Sequence, residues 1–152
     1  MSDGDASRVL HQFSLLSAPG YLLRRNNQRS VDIFSQYVGT DVTRQQIGTL
    51  LALERNPGAS QRDLVDATGV DKSTLKEMLN RMVERGWVAR KRDATDSRAW
   101  TMSLTIEGRD LLLERIEKVA AAQQEMLRPL SSDDRATLLR CLRALLGIEP
   151  VK

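Results

Sequence analysis

Residues 60–105 read SQRDLVDATGVDKSTLKEMLNRMVERGWVARKRDATDSRAWTMSLT, and the changes of pattern within them decide the fold. Ser60 followed by Asp63 has the form of a capping box, in which side-chain oxygens take up the free amides of a first helical turn. Leu64, Val65 and Ala67 then give a helix of about two turns, and Thr68, Gly69 and Val70 form a tight turn with glycine supplying left-handed backbone. Asp71 caps a second helix, in which Leu75, Met78, Leu79 and Met82 recur at helical spacing and which Gly86 ends. From Trp87 the period becomes alternating: Trp87–Ala89 and Trp100–Leu104 read as two short strands joined by a charged loop. Two short helices on a tight turn make a helix-turn-helix, and the hairpin that follows makes it a winged one.

The flanks are helical as well. Thr43 and Gln46 form another capping box, opening a helix over about 43–54 with Ile47, Leu50, Leu51 and Leu53 on its buried face. Before it, apolar residues from Val9 to Val38 keep helical spacing as one long helical segment, in which Pro19 is the one place a break can fall. After the hairpin, Thr105 restarts a helix that runs to Pro129, and Ser131 with Asp134 opens a last one carrying Leu138, Leu139, Leu142, Leu145 and Leu146. The expected fold is mainly α with a small β-hairpin wing. Its parts are N-terminal dimerisation helices over 1–40, a winged helix-turn-helix over 41–110, and C-terminal dimerisation helices over 111–152. Phe13, Phe34, Leu139, Leu142 and Leu146 lie outside the compact centre and need cover. A second copy of the chain is the economical partner; packing on their own domain is the alternative.

Composition narrows the function. The 152 residues are 41 % hydrophobic, enough for one core. No run of about 18 apolar residues suggests a membrane span, and the N-terminus lacks the basic and apolar regions of a secretory signal. A soluble, cytoplasmic protein without membrane partners is expected. Cys141 is the single cysteine and His11 the single histidine, so disulfide frameworks, zinc cages and histidine-based triads are not expected. With no nucleophile-base pair and no glycine-rich phosphate loop, neither an enzyme nor a cofactor is expected. Cys141, set among leucines of the last helix, reads as an inert packed thiol.

The net charge is only +3, yet residues 72–98 hold eight lysines and arginines against four acids, leaving the remainder net acidic by one. Basic character is therefore concentrated on the second helix and the wing, where a duplex would be met. Lys72, Ser73, Thr74, Lys76, Asn80 and Arg81 are the candidates on the second helix, whose N-terminal amides also attract phosphate. Ser60 joins them from the start of the first helix, and Arg90, Arg92 and Arg98 from the wing. Thr74 can instead serve its own backbone, and Asn80 can read adenine or simply face solvent.

Residues 41–113, from DVTRQQIGTLLAL through GRDLL, resemble the multiple antibiotic resistance regulator (MarR) family of winged helix-turn-helix transcription factors. The wing signature, Asp-x-Arg followed by Leu-Thr, stands here as Asp96, Arg98, Leu104 and Thr105, with Gly108 three residues on. The resemblance implies a homodimer on a pseudo-palindromic double-stranded operator, with half-sites about 10 bp apart. It also implies that Asp96 braces the wing and that Arg98 approaches DNA or completes the brace. The family pattern has proline after the first aspartate and arginine after the second; Ala94 and Ser97 stand there instead, so the tip is less basic and Arg92 and Arg98 become the expected contacts.

Regulators of this kind commonly take a small ligand between the dimerising helices and the winged helix and then release DNA. SAPGYLLRRNNQRS, residues 17–30, is similar to members that control breakdown of aromatic acids. Tyr21 offers a ring, Arg24 and Arg25 offer guanidinium forks for a carboxylate, His11 a hydrogen bond, and Trp87 or Trp100 a wall. The arginines can alternatively salt-bridge or meet phosphate, and the tryptophans can be core. The resulting expectation is a ligand-responsive repressor released by a hydroxybenzoate-, cinnamate- or nicotinate-type acid. The other class is a winged-helix protein-interaction module without sequence-specific DNA binding.

Overall fold

The structure, a computed structural model, describes residues 3–96 and 99–148, with side chains from residue 7 onward. Seven helices and three strands follow in the order α1 (Asp3–Gln12), α2 (Pro19–Val38), α3 (Arg44–Arg55), β1 (Ala59–Ser60), α4 (Gln61–Thr68), α5 (Lys72–Glu84), β2 (Val88–Arg92), β3 (Trp100–Leu104), α6 (Ile106–Leu127) and α7 (Ser132–Leu145). They fall into two units, one over residues 34–125 and the other combining 1–33 with 126–152.

The central unit is the winged helix. Leu50 and Leu53 of α3, Leu64 of α4, Leu75 and Met82 of α5 and Val88 of β2 are its fully buried side chains, with Val42 and Thr49 beside them. The spacing of these leucines and methionines is what makes each helix amphipathic: they share one face, and the charged residues between them take the other. Thr43 and Gln46 close the predicted capping box on α3, and Ser60 and Asp63 the one on α4. Gly69 ends α4 at φ 68° and Gly86 follows α5 at φ 76°, both in the left-handed region that glycine enters without strain.

The sheet is antiparallel in the order β1-β3-β2. Val88 pairs with Leu104, Arg90 with Met102 and Arg92 with Trp100, while Ala59 pairs with Met102 on the other side of β3. Two features differ from the sequence reading. Strand β2 continues to Arg92 rather than stopping at Ala89, because the backbone ladder to Trp100–Met102 holds a segment whose Arg-Lys-Arg side chains show no alternation. Strand β1 was not expected, since two residues carry no period; Ser60 is both its last residue and the N-cap of α4.

The segment from Val9 to Val38, read from the sequence as one long helical run, is divided before Pro19. α1 ends at Gln12, a single 3-10 turn covers Leu15–Ser17, and Pro19 becomes the first residue of α2, a position where its missing N–H costs nothing. The Arg29 guanidinium donates to the Met126 carbonyl at 2.8 Å, and Ser131 caps α7 by accepting from the Asp134 amide at 3.2 Å. Cys141 is exposed, not packed: α7 buries none of its residues within the single chain, so the leucines around the thiol give it no cover. Among the described residues, no helix is long and apolar enough to cross a membrane.

Gly108 is buried where α6 passes the Trp87 backbone, and a Cβ there would overlap the Trp87 carbonyl. Gly108→Ala is expected to lower unfolding free energy by about 1–3 kcal/mol through overpacking against rigid backbone. Gly48→Ala, on α3 with no atom within 4 Å of the added methyl, is expected to raise it by about 0.5–1 kcal/mol. Urea unfolding of both variants beside the parent checks the pair.

Candidate nucleic-acid interface

The outer face of α5 forms because its four buried positions, Leu75, Met78, Leu79 and Met82, fix which way the rest of the helix points. Lys72, Ser73, Thr74, Lys76, Asn80 and Arg81 are all exposed. At the N-cap the Asp71 carboxylate accepts from the Thr74 amide at 3.0 Å and from the Ser73 hydroxyl at 2.7 Å. Hydrogen bonds from Thr74 and then Ser73 hold the Asp71 carboxyl down from its ordinary 3.8 to about 2. Thus Ser73 and the Thr74 backbone serve the cap, while the Lys72 and Lys76 side chains leave the helix beside it.

Beside α5 the hairpin rises. Arg90 donates to the Asn80 side-chain oxygen at 3.2 Å, joining wing to helix, and the guanidinium groups of Arg90 and Arg92 lie 5.2 Å and 4.1 Å from the centre of the Trp100 ring. Between α4, α5 and the wing lies an open groove of about 400 Å³. Four cations border it, Arg62, Lys72, Lys76 and Arg90, along with Asn80 and Trp100, and no carboxylate lines it among the described residues. Farther along α5, Arg81 stands 3.8 Å from the Glu77 carboxylate on a fully solvated surface, a pair that solvent screens strongly.

The wing loop is organised by Asp93. Its carboxylate accepts from the Thr95 hydroxyl at 2.7 Å, the Thr95 amide at 2.8 Å and the Asp96 amide at 3.0 Å; the Thr95 bonds, and then the Asp96 amide, hold its carboxyl below the usual range. The Asp96 carbonyl accepts from the Ala99 amide at 2.9 Å. Arg98, expected on the motif to meet DNA, lies outside the described residues.

Of the expected DNA-facing residues, Lys72, Lys76, Asn80 and Arg90 border one groove with Ser60, whose hydroxyl is held by Asp63 at 2.8 Å. Gln61 and Arg62 were not anticipated. They occupy the first turn of α4, where the first helix of a helix-turn-helix crosses the backbone of its duplex, and that position was the signal available. Gln61 also donates to the Lys72 carbonyl at 3.0 Å, tying the two helix starts together.

The expected ligand residues fall in both units. On α2, Arg25 donates to the Tyr21 hydroxyl at 2.9 Å, and Arg24 and Arg25 both lie over the Tyr21 ring, at 5.4 and 5.8 Å. His11 is exposed in the last turn of α1. Trp87 and Trp100 belong to the winged helix. Arg85 covers Trp87 at 4.8 Å, and Trp100 faces the two wing arginines.

Residues 40–99 match the MarR family. Over 107 residues the chain is 34 % identical to the transcriptional regulator HosA of Escherichia coli, covering 70 % of this chain and 79 % of that one. The chain belongs to the MarR family. Another relative, the HTH-type transcriptional repressor NicR of Pseudomonas putida, is 31 % identical over 84 % of this chain and 81 % of its own. The crystallised BpsR of Bordetella bronchiseptica, whose DNA binding is regulated by 6-hydroxynicotinic acid, superposes with a TM-score of 0.86 at 29 % identity, over 90 % of this chain and 99 % of that one. The mainly helical fold, the wing and the role in transcription regulation are thereby those of the family.

The Asp71 cap makes a pH-dependent prediction for this MarR-family winged helix. A carboxyl depressed in the folded state contributes stability that is present above its unfolded value near 3.8 and lost as pH falls through about 2. Asp71→Ala is expected to be less stable than the parent at neutral pH, with the difference shrinking as pH falls from about 4 to about 2. Thermal melts followed by circular dichroism at stepped pH give the curve; a gap that stays constant to pH 2 removes the cap's role.

Proposed function

We propose that the protein is a ligand-responsive transcriptional repressor that binds a pseudo-palindromic operator as a homodimer and is released by a small aromatic carboxylate. The observation that carries the DNA reading is the groove beside α5: four cations from α4, α5 and the wing converge there with no carboxylate among its described lining. Each lysine or arginine that neutralises a phosphate releases condensed counterions, so such a surface attracts a duplex along its length. In this reading Lys72, Lys76 and Arg62 meet phosphates, Asn80 and Arg81 face base edges, and Arg90, Arg92 and Arg98 extend the contact to the wing. Ser60, Ser73 and Thr74 support the helix starts that point amides at the backbone.

Self-association is supported by the unit that combines both termini. Leu10, Leu16, Leu145 and Leu146 are more than 70 % exposed, a density of apolar side chains that water does not favour. A second copy covering α1 and α7 removes them from solvent, and α5 of each copy then meets one half-site. The effector reading rests on Tyr21, Arg24 and Arg25, where a ring and two guanidinium groups gather on one helix turn, and on the likeness to a regulator that responds to 6-hydroxynicotinic acid. His11, Trp87 and Trp100 are its further candidates. Localisation follows as cytoplasmic, where the operator is.

Selection from a random-sequence duplex pool is expected to yield a two-fold consensus, and its absence returns the chain to a protein-interaction module. On the selected duplex, Lys76→Ala is expected to weaken binding across sequences and reduce the slope of log affinity against log salt by about 1. Arg24→Ala with Arg25→Ala is expected to abolish release by a panel of hydroxybenzoates, cinnamates and 6-hydroxynicotinate while operator affinity stays intact. Loss of DNA binding without effector would place these side chains in the dimer or on phosphate. Leu145→Glu with Leu146→Glu is expected to shift sedimentation from dimer to monomer.

A further inference from the structure

Trp100 opens β3 with 38 % of its surface exposed, unusual cover for the largest side chain in the hairpin. Its neighbours explain the position. Antiparallel register sets Arg92 directly opposite Trp100 and Arg90 two residues nearer the root, opposite Met102; with a side-chain period of two, all four share one face of the hairpin. Met102 on that face is buried, and the face opens toward the tip. There the two guanidinium groups lie over one indole, at 4.1 Å for Arg92 and 5.2 Å for Arg90, and indole is the best of the aromatic faces for a cation. Arg90 is held a second time, by the Asn80 oxygen on α5 at 3.2 Å.

We infer that Trp100 is a positioning residue for DNA binding, an indole platform that orders Arg90 and Arg92 on the groove side of the wing before a duplex arrives. The inference rests on reading this face as a DNA interface. A guanidinium has five N–H donors at its edge and none on its face, so the contact with the indole itself occupies no donor, and the Asn80 bond to Arg90 uses one. An arginine already ordered loses less side-chain freedom on binding than one that sweeps through solvent. The platform also suits a wing whose tip carries Ala94 in place of a rigid proline: the ring across the hairpin adds to the order that Asp93 gives the loop.

The test compares Trp100→Phe, which keeps an aromatic face, with Trp100→Leu, which keeps apolar bulk without one. In the protein alone, side-chain proton resonances of Arg90 and Arg92 are expected to carry ring-current shifts that survive in Trp100→Phe and vanish in Trp100→Leu. On the duplex selected by the wild-type protein, Trp100→Leu is expected to bind about fivefold more weakly or worse with an unchanged salt slope, because both arginines remain to neutralise phosphate. Trp100→Phe should stay near wild type. In an Arg90→Ala, Arg92→Ala background, adding Trp100→Leu should cost nothing further.

Equal affinities for the Leu and Phe variants, a loss that persists without the two arginines, or an altered effector response with affinity intact would each overturn the assignment. Absence of ring-current shifts overturns it without any DNA present. Failure of the wild type to select a consensus instead overturns the DNA reading, and the positioning role with it, while the ring-current result still stands on its own.

Discussion

Where the wing returns to the body, the Thr105 hydroxyl donates to the Gly86 carbonyl and accepts from the Gly108 amide at 3.0 Å, and the Thr105 amide donates to the Trp87 carbonyl at 3.1 Å. These bonds fasten the end of β3 and the start of α6 to the residues that follow α5. The spacing is so close that position 108 admits no side chain. Backbone contacts at the root of the hairpin therefore hold α5 and the wing together there, and the Arg90–Asn80 bond joins them again farther out. That is why a hairpin with three consecutive basic residues on an exposed strand can hold a defined direction: its root is buried at Val88 and Met102, and its far end only has to extend the line.

A groove lined by four cations must also dispose of nearby carboxylates. Three of the aspartates near the groove and the wing, Asp63, Asp71 and Asp93, are turned onto local backbone. Asp63 accepts from the Ser60 amide at 2.8 Å, Asp71 caps α5, and Asp93 gathers the amides of Thr95 and Asp96. Donors around each one hold its carboxyl below the usual range. The negative charges are thus directed at peptide N–H groups, while the lysines and arginines between them face outward. A chain with a net charge of only +3 gains a locally cationic groove by this division rather than by an excess of bases overall.

The caps and turns were legible because each depends on residues within four positions of one another. Thr43 with Gln46, Ser60 with Asp63, Asp71, and the glycines at 69 and 86 all stand in the structure in the roles their spacing implies. What escaped reading depends on partners far along the chain. Strand β1 exists because the Gly58 amide and Ala59 find Met102, more than forty residues away, and two residues have no pattern of their own. Arg62 joins the groove only once α4 is laid beside α5. The Arg92–Trp100 pairing lies between these cases: both residues were visible as charge and ring, but their contact needed the hairpin register, and the charged run of β2 hid where that strand ends. Cys141 is exposed in the single chain, because leucine neighbours in sequence bury a residue only where something covers the face.

The end of α2 is bound into the winged helix by the same kind of distant contact. Arg115 of α6 donates to the Val38 carbonyl at 2.6 Å and to both oxygens of Asp41, at 3.3 and 3.1 Å, while Arg85, just past α5, donates to the Asp41 carbonyl at 2.9 Å. The Arg115 side chain is only 16 % exposed. Its Nε lies 3.3 Å from the Glu114 carboxylate yet makes no aligned hydrogen bond, so the short turn at residues 38–41 is its main anchor. Two guanidinium groups, one from α6 and one from the residue after α5, thus converge on Asp41, and the partly buried Arg115 is screened less than an arginine of a surface pair. The turn at residues 38–41 thus ties the last turn of α2 to the residue that follows α5 and to the middle of α6.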